Sequence, residues 1–501
     1  MSADSWTSPC ALGRRDFLKA GLLAAGSVLG APACSGGGDR RRVVVVGAGL
    51  AGLAAAYELS RRSHDVLILE ARARPGGRVY TVREPFADGA RIEAGAAEIP
   101  GHHRLPLHYA REFGLPLDEV STHRRREYWL RGGMVRREGD RWTWPVPLRA
   151  DEEGRSVSAL LWRYLGRWLT LAGGASSPGW ATGRLAELDG LSFADLLRRE
   201  GASDGVLDLC RVGHLSVWGD GIESYSGLFM VGELARQRGR GNAFAIGGGN
   251  DRLPHAFASR LGRRIRYEAA VIAVRRTGHG VEVSWLHRGS AGTETADHEV
   301  CAVPFPVLRA IEFSPPLSPA ARSAASGLGY TPVRRSFYQV EASPGATVPD
   351  VDVATDLPFG IVRQTGRGPG ARTYLLETMA CGESARRAES SPARPPVEER
   401  AARLVRMLSG PRGRVVGHAE CSWDDDEWSR GAYSFPRPGG YLAMQRIGDL
   451  GEERIHFAGE HASPWPGWMQ GALYSGRRAA RAIDPGVPDE TDAPPVPDAP
   501  A

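Results

Sequence analysis

A glycine-rich turn after a run of valines constrains this chain of 501 residues more than any other feature. The β-branched run from Val43 to Val46 predicts a buried parallel strand, and Gly47, Gly49 and Gly52 follow at the spacing of a dinucleotide-binding turn. Gly47 permits the tight turn, Gly49 lets backbone approach a pyrophosphate, and Gly52 allows a helix to pack closely on the strand. Glu70 ends the next predicted strand, where a carboxylate can accept hydrogen bonds from a ribose. The sequence therefore predicts a βαβ nucleotide-binding unit.

Further motifs lie close behind this turn and near the other end of the chain. Residues 70–78 read Glu-Ala-Arg-Ala-Arg-Pro-Gly-Gly-Arg, and residues 93–97 read Glu-Ala-Gly-Ala-Ala. Residues 457–461 read Phe-Ala-Gly-Glu-His, and residues 467–472 read Gly-Trp-Met-Gln-Gly-Ala. Together these motifs resemble the flavin amine oxidase family, which includes monoamine, polyamine and L-amino acid oxidases. The resemblance covers most of the chain and implies an α/β fold, in which a FAD-binding Rossmann-type domain of the glutathione-reductase kind is interleaved with an α+β substrate domain.

The residue chemistry agrees with a large planar cofactor. Gly76 and Gly77 let the main chain pass close to it, and Arg78 can balance phosphate charge. The resemblance implies non-covalent binding, because Ala432 stands where some members carry a cysteine bonded to the flavin. It also implies that the FAD site comprises Gly47, Gly49, Gly52, Glu70, Arg72, Gly77, Arg78, Gly95, Ala96, Val271, Glu460 and Met469.

The resemblance implies the oxidative deamination of a primary or secondary amine. In the family, an amine loses a hydride to flavin N5, the resulting imine is hydrolysed, and O2 re-oxidises the flavin to give hydrogen peroxide. Tyr433 and Trp468 match the family's aromatic pair, and electron-rich rings hold an amine nitrogen without offering a proton acceptor. Trp423 matches a tryptophan that packs near the flavin ring. We therefore expect the amine to lie between Tyr433 and Trp468.

Position 335 departs from the family pattern. Many members carry a lysine that holds a water molecule at flavin N5, whereas Arg335 falls near that place and Lys19 is the only lysine of the chain. Arginine keeps the positive charge but presents it in a planar fork, so we expect altered water placement and oxygen reactivity. The register leaves Arg334 and Val333 as alternatives at this place, and a surface arginine on a strand as another.

Glu98 is the second departure. It lies within Gly-Ala-Ala-Glu-Ile-Pro-Gly, residues 95–101, where the L-amino acid oxidase pattern usually has an arginine that holds the substrate carboxylate. A glutamate repels a carboxylate and attracts a cation. This charge favours an amine, including one with a second positive centre, over an amino acid. The alternative is a glutamate turned to solvent or paired with an arginine.

The net charge and the cysteine spacing bear on nucleic-acid binding and on metal binding. The net charge of +5 is small for this length, and beyond short arginine runs at 40–42 and 124–126 no basic block stands out. We therefore expect no nucleic-acid partner. The six cysteines are widely spaced and show no CxxC or Cys/His pattern, so no metal site is expected.

The N-terminus resembles a twin-arginine export signal. Arg14 and Arg15 precede an apolar run from Ala20 to Gly30, which is too short to span a bilayer as a permanent helix. Cleavage after Ala33 fits a small-residue site and leaves Cys34 first, so a lipid anchor at Cys34 is an alternative to a free protein. We expect export of the folded, cofactor-loaded chain by the twin-arginine machinery to the periplasm or envelope.

Patterns of apolar residues and breakers divide the chain into interleaved segments. Together with the two resemblances, these segments predict a signal peptide (1–34), a linker (35–40), a discontinuous FAD-binding domain (41–117, 240–310 and 415–484), a substrate-binding domain (118–239 and 311–414) and a disordered tail (485–501).

Three other functions fit parts of the sequence. A flavin desaturase or a dehydrogenase with another acceptor keeps the fold, but Tyr433 and Trp468 argue against it. An L-amino acid oxidase also keeps the fold, and Glu98 argues against it. A flavin-binding envelope protein without turnover is the third. Release of hydrogen peroxide on addition of amines favours an amine oxidase over both the desaturase or dehydrogenase and the protein without turnover.

Overall fold

A computed structural model describes residues 40–120, 125–175, 179–238, 242–342, 351–367, 373–390, 395–408 and 413–489. From Arg41 onward the chain forms one compact unit. The predicted signal peptide and lipid-anchor position, nearly all of the linker, and residues 490–501 of the predicted tail lie outside the described residues. Export and lipid attachment therefore stay predictions.

The strands, in chain order, are β1 (Arg42–Val46), β2 (Asp65–Leu69), β3 (Thr81–Val82), β4 (Ile92–Glu93), β5 (Ile99–Pro100), β6 (Leu117–Val120), β7 (Arg125–Leu130), β8 (Gly133–Met134), β9 (Arg136–Glu138), β10 (Arg141–Thr143), β11 (Ala243–Ile246), β12 (Ile265–Arg266), β13 (Ala270–Arg276), β14 (Val281–His287), β15 (Ser290–Ala296), β16 (His298–Cys301), β17 (Glu312–Ser314), β18 (Gly329–Tyr330), β19 (Val333–Ala342), β20 (Val351–Thr355), β21 (Ile361–Arg367), β22 (Thr373–Cys381), β23 (Gly413–Ser422), β24 (Ser434–Phe435) and β25 (Ile455–Phe457).

The α-helices are α1 (Leu50–Arg61), α2 (Arg104–Glu112), α3 (Val157–Ala172), α4 (Phe193–Arg199), α5 (Asp204–Cys210), α6 (Gly227–Arg238), α7 (Arg252–Leu261), α8 (Phe305–Leu308), α9 (Pro319–Gly327), α10 (Glu383–Ser390), α11 (Val397–Met407), α12 (Tyr441–Gln445) and α13 (Met469–Ile483).

A five-stranded parallel sheet contains the predicted nucleotide-binding strand. Its order is β12-β2-β1-β16-β25, and each neighbouring pair is parallel. Val43 and Val45 of β1 join an apolar cluster with α1 and α13, whereas Val44 and Val46 join a second cluster. Both faces of the sheet are therefore buried, which explains the unbroken valine run. Strands from all three predicted FAD-binding segments meet in this sheet.

A seven-stranded sheet, of order β23-β19-β22-β21-β20-β7-β8, forms the second large layer. Its neighbouring strands are antiparallel except for β20 and β7, which are parallel. Helices α3, α4, α5 and α6 surround a separate apolar cluster that also includes residues of β7 and β20. The strand β23 pairs with β19, so most of residues 415–422, predicted to be part of the FAD-binding domain, lie in this sheet.

The start of the predicted disordered tail is packed instead. Val487 is 2% exposed and joins the apolar cluster of α1 and α13. The side chain of Arg477 donates to the carbonyl of Pro488 at 3.0 Å, and Arg481 forms an ion pair with Asp489. The prediction of disorder was therefore wrong for residues 485–489, because Val487 packs into this cluster and two arginines of α13 hold the residues after it.

Two classes of structure are missing from the described part of the chain. None of its helices is both long and apolar enough to cross a membrane. Its histidines, cysteines and carboxylates form no group of three suited to hold a metal ion.

Glu299 in β16 predicts a pH dependence of stability. It is fully buried, its carboxylate makes no hydrogen bond of normal geometry to a described residue, and the Cys301 thiol lies beside it. Burial raises the pKa of Glu299 from 4.5 to about 8. The folded state thus holds a proton that the unfolded state loses in this range, so stability falls as pH rises from 4.5 to about 8, by at most about 1.4 kcal/mol per pH unit.

Glu299→Gln should remove this contribution, because an amide does not titrate. We expect the melting temperature of the variant to exceed that of the wild type at about pH 9, and to lose that advantage at about pH 5. Thermal unfolding at both pH values checks this. An unchanged difference between the two proteins at the two pH values would contradict the buried acid.

Candidate active site

One cavity of about 550 Å³ extends from the parallel sheet to the seven-stranded sheet. Of the residues predicted to form the site, Gly52 alone does not line it, and it lies beneath the glycine turn. The others all line the cavity: Gly47, Gly49, Glu70, Arg72, Gly77, Arg78, Gly95, Ala96, Glu98, Val271, Arg335, Trp423, Tyr433, Glu460, Trp468 and Met469.

The glycine turn has the geometry that a pyrophosphate requires. Gly47 has a φ of +100°, which favours glycine. A Cβ atom on Gly52 would lie 2.0 Å from the carbonyl oxygen of Gly47, so helix α1 packs directly against the turn. A Cβ atom on Gly49 would meet nothing within 4 Å, so this backbone faces open space in the cavity. A large group can therefore approach the main chain at Gly49.

Two helices begin at the cavity. Gly49 is the N-cap of α1 and Trp468 is the N-cap of α13, and neither side chain caps its helix. The first N–H groups of both helices therefore lack a side-chain cap, and the positive end of each helix dipole faces the cavity. These features suit the anionic and polar parts of a dinucleotide.

Glu70 lies at the end of β2, as predicted. One of its carboxylate oxygens accepts from the Ala48 amide at 2.6 Å, and the other accepts from the Arg72 amide at 2.8 Å. Burial raises the pKa of Glu70, although these two hydrogen bonds oppose the shift. Each carboxylate oxygen keeps further acceptor capacity, so the residue can still accept hydrogen bonds from a ribose.

Arg72 and Arg78 connect the first segment to the last. Arg72 donates to Asp426 at 2.8 and 2.5 Å. Nη1 of Arg78 donates to Glu460 at 2.8 Å and to the carbonyl of Ala432 at 2.9 Å. Their predicted role toward the cofactor thus accompanies a structural one that was missed, because the partners lie more than three hundred residues away in the sequence.

Glu460 is a buried carboxylate with several partners. It also accepts from the Ser434 hydroxyl and the Gly467 amide, each at 2.7 Å. Burial alone would raise the pKa of Glu460, but the charge of Arg78 and these hydrogen bonds outweigh burial and lower it. The residue therefore stays ionised, and the ion pair with Arg78 is permanent at neutral pH.

The observed residues fit FAD. Gly49 offers open backbone, two helix N-termini face the cavity, and Glu70 has acceptor capacity at the end of β2. Val271 lies at a bulge in the pairing of β13 with β14 and also lines the cavity, and its contact with an adenine stays a prediction. Ala432 lines the same cavity, and alanine cannot form a covalent bond to a flavin.

Aromatic side chains form another part of the wall. Tyr433 donates its hydroxyl to the carbonyl of Val217 at 2.5 Å, and Trp468 donates its indole N–H to Glu233 at 3.3 Å. The Cβ atom of Tyr433 lies 3.5 Å from where a Cβ atom on Gly467 would stand, so the positions 433 and 468 are close. Trp423 is buried and donates to the carbonyl of Ala94 at 2.9 Å.

Trp218 belongs to the same wall, although the sequence analysis missed it. Its ring lies 4.7 Å from that of Tyr433 in an edge-to-face arrangement. It also lies 2.7 Å from the position of a Cβ atom on Gly467, which therefore has to be glycine for this packing. The surrounding sequence contains no recognised motif, so only the three-dimensional contact identifies Trp218.

Arg335 faces the cavity and is buried. On β19, side chains alternate, and Val333 and Arg335 line the cavity while Arg334 contacts Asp425 at 3.2 Å. Nε of Arg335 donates to Glu377 at 2.7 Å, and Nη1 donates to the carbonyl of Gly95 at 2.7 Å. The surface alternative is therefore wrong, and Arg335 is the charged residue of β19 at the cavity.

Charged residues of neighbouring strands accompany Arg335. Arg126 of β7, Asp352 of β20 and Arg363 of β21 line the cavity, and Glu377 of β22 is buried behind them. The sequence analysis missed all four. A signal was present in β22, where Glu377 follows the apolar run from Tyr374 to Leu376, but its meeting with Arg363 depends on strand register. Glu98 lines the cavity near Arg363, whose charge it influences.

Comparisons with known proteins agree with this arrangement. Residues 50–484 match the family described as flavin containing amine oxidoreductase. The chain is 28% identical over 472 residues to the "Putative L-amino-acid oxidase YobN" of Bacillus subtilis (strain 168), covering 89% of this chain and 95% of that protein. It is 26% identical over 468 residues to an L-amino-acid oxidase of Gloydius halys, covering 89% of each chain.

Solved structures share the fold. Cyclohexylamine oxidase from Brevibacterium oxydans IH-35A superposes with a TM-score of 0.71 at 22% identity, covering 89% of this chain and 99% of that one. Wild-type putrescine oxidase bound to putrescine gives a TM-score of 0.70 at 23% identity, with the same coverage. The mixed α/β fold expected from the sequence is confirmed.

The two glycines of the turn make a matched test. Gly49 has a φ of −69° and open space around it, so Gly49→Val should fold normally and lose FAD, because the side chain occupies the space beside the backbone. Gly52→Ala should instead destabilise the apoprotein by about 1–3 kcal/mol through its contact with Gly47. FAD absorbance of purified protein and apoprotein melting temperature measure the two effects. Full FAD content in Gly49→Val would exclude this binding mode.

Proposed function

The chain belongs to the flavin-containing amine oxidoreductase family, and from that premise we propose that it catalyses the FAD-dependent oxidative deamination of an amine, with O2 as acceptor. When bound, the flavin accepts a hydride from the carbon that bears the amine nitrogen and passes the electrons to O2, while water hydrolyses the imine. One observation supports the proposal above all others. A single cavity joins the dinucleotide turn to the aromatic residues Tyr433 and Trp468.

The aromatic wall suits an amine about to be oxidised. Burial and the neighbouring Cys381 raise the pKa of Tyr433 well above its ordinary value, so the phenol stays neutral and does not act as a base. Its hydroxyl is engaged by Val217, and the indole N–H of Trp468 points to Glu233. The rings can therefore hold the amine through their faces, without donating a proton to it or taking one from it.

Arg335 supplies a fixed positive charge at the cavity. Its guanidinium is held by Glu377 and by the carbonyl of Gly95, so its position does not depend on a ligand. A preorganised cation stabilises negative charge that develops nearby, as it does when O2 accepts electrons. We therefore assign Arg335 to the oxygen half of the reaction and the aromatic pair to the amine half.

Aerobic assay of the purified protein tests the proposal. With n-pentylamine, cadaverine, norleucine and lysine as donors, we expect hydrogen peroxide to form with at least one, because each carries an oxidisable CH–NH2 group. Acid precipitation should release the FAD into solution, since Ala432 forms no bond to it. Flavin reduction without peroxide would indicate a dehydrogenase, and no flavin reduction by any donor would indicate a protein without amine turnover.

Substitution of Arg335 should affect the two half-reactions, flavin reduction by the amine and re-oxidation by O2, to different extents. Arg335→Met removes the charge and should slow re-oxidation by O2 about tenfold or more, whereas Arg335→Lys keeps the charge and should slow it less. Flavin reduction by the amine should change less than re-oxidation in both. Arg334→Met, on the other face of the same strand, is the matched control. Stopped-flow absorbance follows each half-reaction, and equal oxygen rates in all four proteins would remove Arg335 from the reaction.

A further inference from the structure

A row of alternating charges crosses the seven-stranded sheet on its cavity face. Arg126 is paired in register with Asp352, Asp352 with Arg363, and Arg363 with Glu377. Arg335, on the next strand, completes the row by donating to Glu377 at 2.7 Å. Opposite charges placed directly across strands stabilise the pairing. Five charged side chains are thus held in order along one side of the substrate cavity.

Arg363 differs from Arg335, the buried arginine of this row. Its Nε atom lies 3.6 Å from Asp352 and 3.9 Å from Glu377, which are ion-pair distances beyond normal hydrogen bonds. Arg363 makes no hydrogen bond to any described residue, and its buried Nε has ion-pair partners but no hydrogen-bond partner. Arg335, by contrast, is engaged by Glu377 and Gly95. Arg363 therefore retains its hydrogen-bond donors for a ligand in the cavity.

The carboxylates around Arg363 keep its charge in place. Burial alone would lower the pKa of Arg363, but Glu377, Asp352 and Glu98 outweigh burial and raise it. The side chain is 14% exposed and remains fully ionised. A buried guanidinium with compensated charge but unused N–H groups is a preorganised anion site.

Glu98 provides a negative charge in the cavity, opposite in sign to that of Arg363. It lines the same cavity and makes no hydrogen bond or ion pair with a described residue. Its main chain is well held, because Asn250 donates to the carbonyls of Ala96 and Ala97 at 2.9 and 3.0 Å. The cavity thus presents one carboxylate without an ion pair to a described residue and one guanidinium that is ion-paired but makes no hydrogen bond to a described residue, and the charge of Glu98 acts on Arg363.

We propose that Arg363 binds a carboxylate of the amine substrate and that Glu98 favours a second cationic centre on the same molecule. The inference rests on the proposed function and deepens it, because it specifies the charges that accompany the oxidised amine. A planar carboxylate matches the planar guanidinium fork. A dianion such as a phosphate fits less well, because Asp352 and Glu377 lie beside the same guanidinium. Arg363 is thus a specificity residue. The role proposed for the aromatic pair, Tyr433 and Trp468, stays the same.

The four donors used above separate these two charges. n-Pentylamine carries neither extra charge, cadaverine carries the cation, norleucine carries the carboxylate, and lysine carries both. In the wild type, lysine should have the highest kcat/KM. Arg363→Met should lower kcat/KM for norleucine and lysine about 30-fold or more, and change it less than about threefold for the two donors without a carboxylate. Glu98→Gln should have the opposite selectivity and lower kcat/KM for cadaverine and lysine.

Two further variants control for general damage. Arg363→Lys keeps the charge and loses the fork, so it should retain the fold and lower norleucine turnover about tenfold. Arg334→Met, on the opposite face of the sheet, should leave the order of the four donors unchanged. Equal losses for all four donors in Arg363→Met and Arg363→Lys would overturn the assignment, because a structural role does not distinguish carboxylates.

Calorimetry with hexanoate tests, without turnover, whether Arg363 binds a carboxylate. Hexanoate has the carboxylate and chain of norleucine but no amine. It should bind the FAD-loaded wild type, and bind at least about tenfold more weakly to Arg363→Met and Arg363→Lys. Failure to bind the wild type, or equal binding to all three proteins, would overturn the inference. Absence of peroxide with all four amines would overturn the proposed function instead, and the hexanoate result would still stand.

Discussion

The ion pair between Arg78 and Glu460 organises the reacting part of the cavity. Arg78 comes from the loop that follows the second parallel strand, and Glu460 follows the fifth strand of the same sheet. The same two side chains bind the carbonyl of Ala432 and the amide of Gly467. These are the residues immediately before Tyr433 and Trp468. One partly buried pair thus sets the backbone of both aromatic positions relative to the dinucleotide turn. The loss of either charge would therefore disturb both positions together.

The predictable part of this site was local in sequence. The valine run, the glycine turn and Glu70 form a contiguous unit whose geometry follows from backbone conformation, and they lie where they were expected. The aromatic positions were also predictable, because each lies in a short motif. Arg335 was predicted near the cavity, but only the alternation of β19 decides between it and Arg334.

The unpredictable part depends on register between distant strands. Arg126 and Asp352 become neighbours because β7 and β20 pair in parallel, and nothing in either local sequence specifies that pairing. Glu98 illustrates the consequence. Considered alone, its charge argued for a substrate without a carboxylate, whereas Arg363 of β21 brings a positive charge near it. A charge in a cavity can be interpreted only together with the charges that other strands bring to it.

The alternating row also explains how a positive charge can be held inside the protein without a ligand. An isolated buried arginine is costly, because its desolvation is not offset. Placed between Asp352 and Glu377, Arg363 is compensated by ion pairs at 3.6 and 3.9 Å, and these distances leave its hydrogen-bond donors unused. The sheet thereby stabilises the charge and leaves its binding capacity free. The charged row, the aromatic wall and the dinucleotide turn thus come from different elements of the fold and line one cavity.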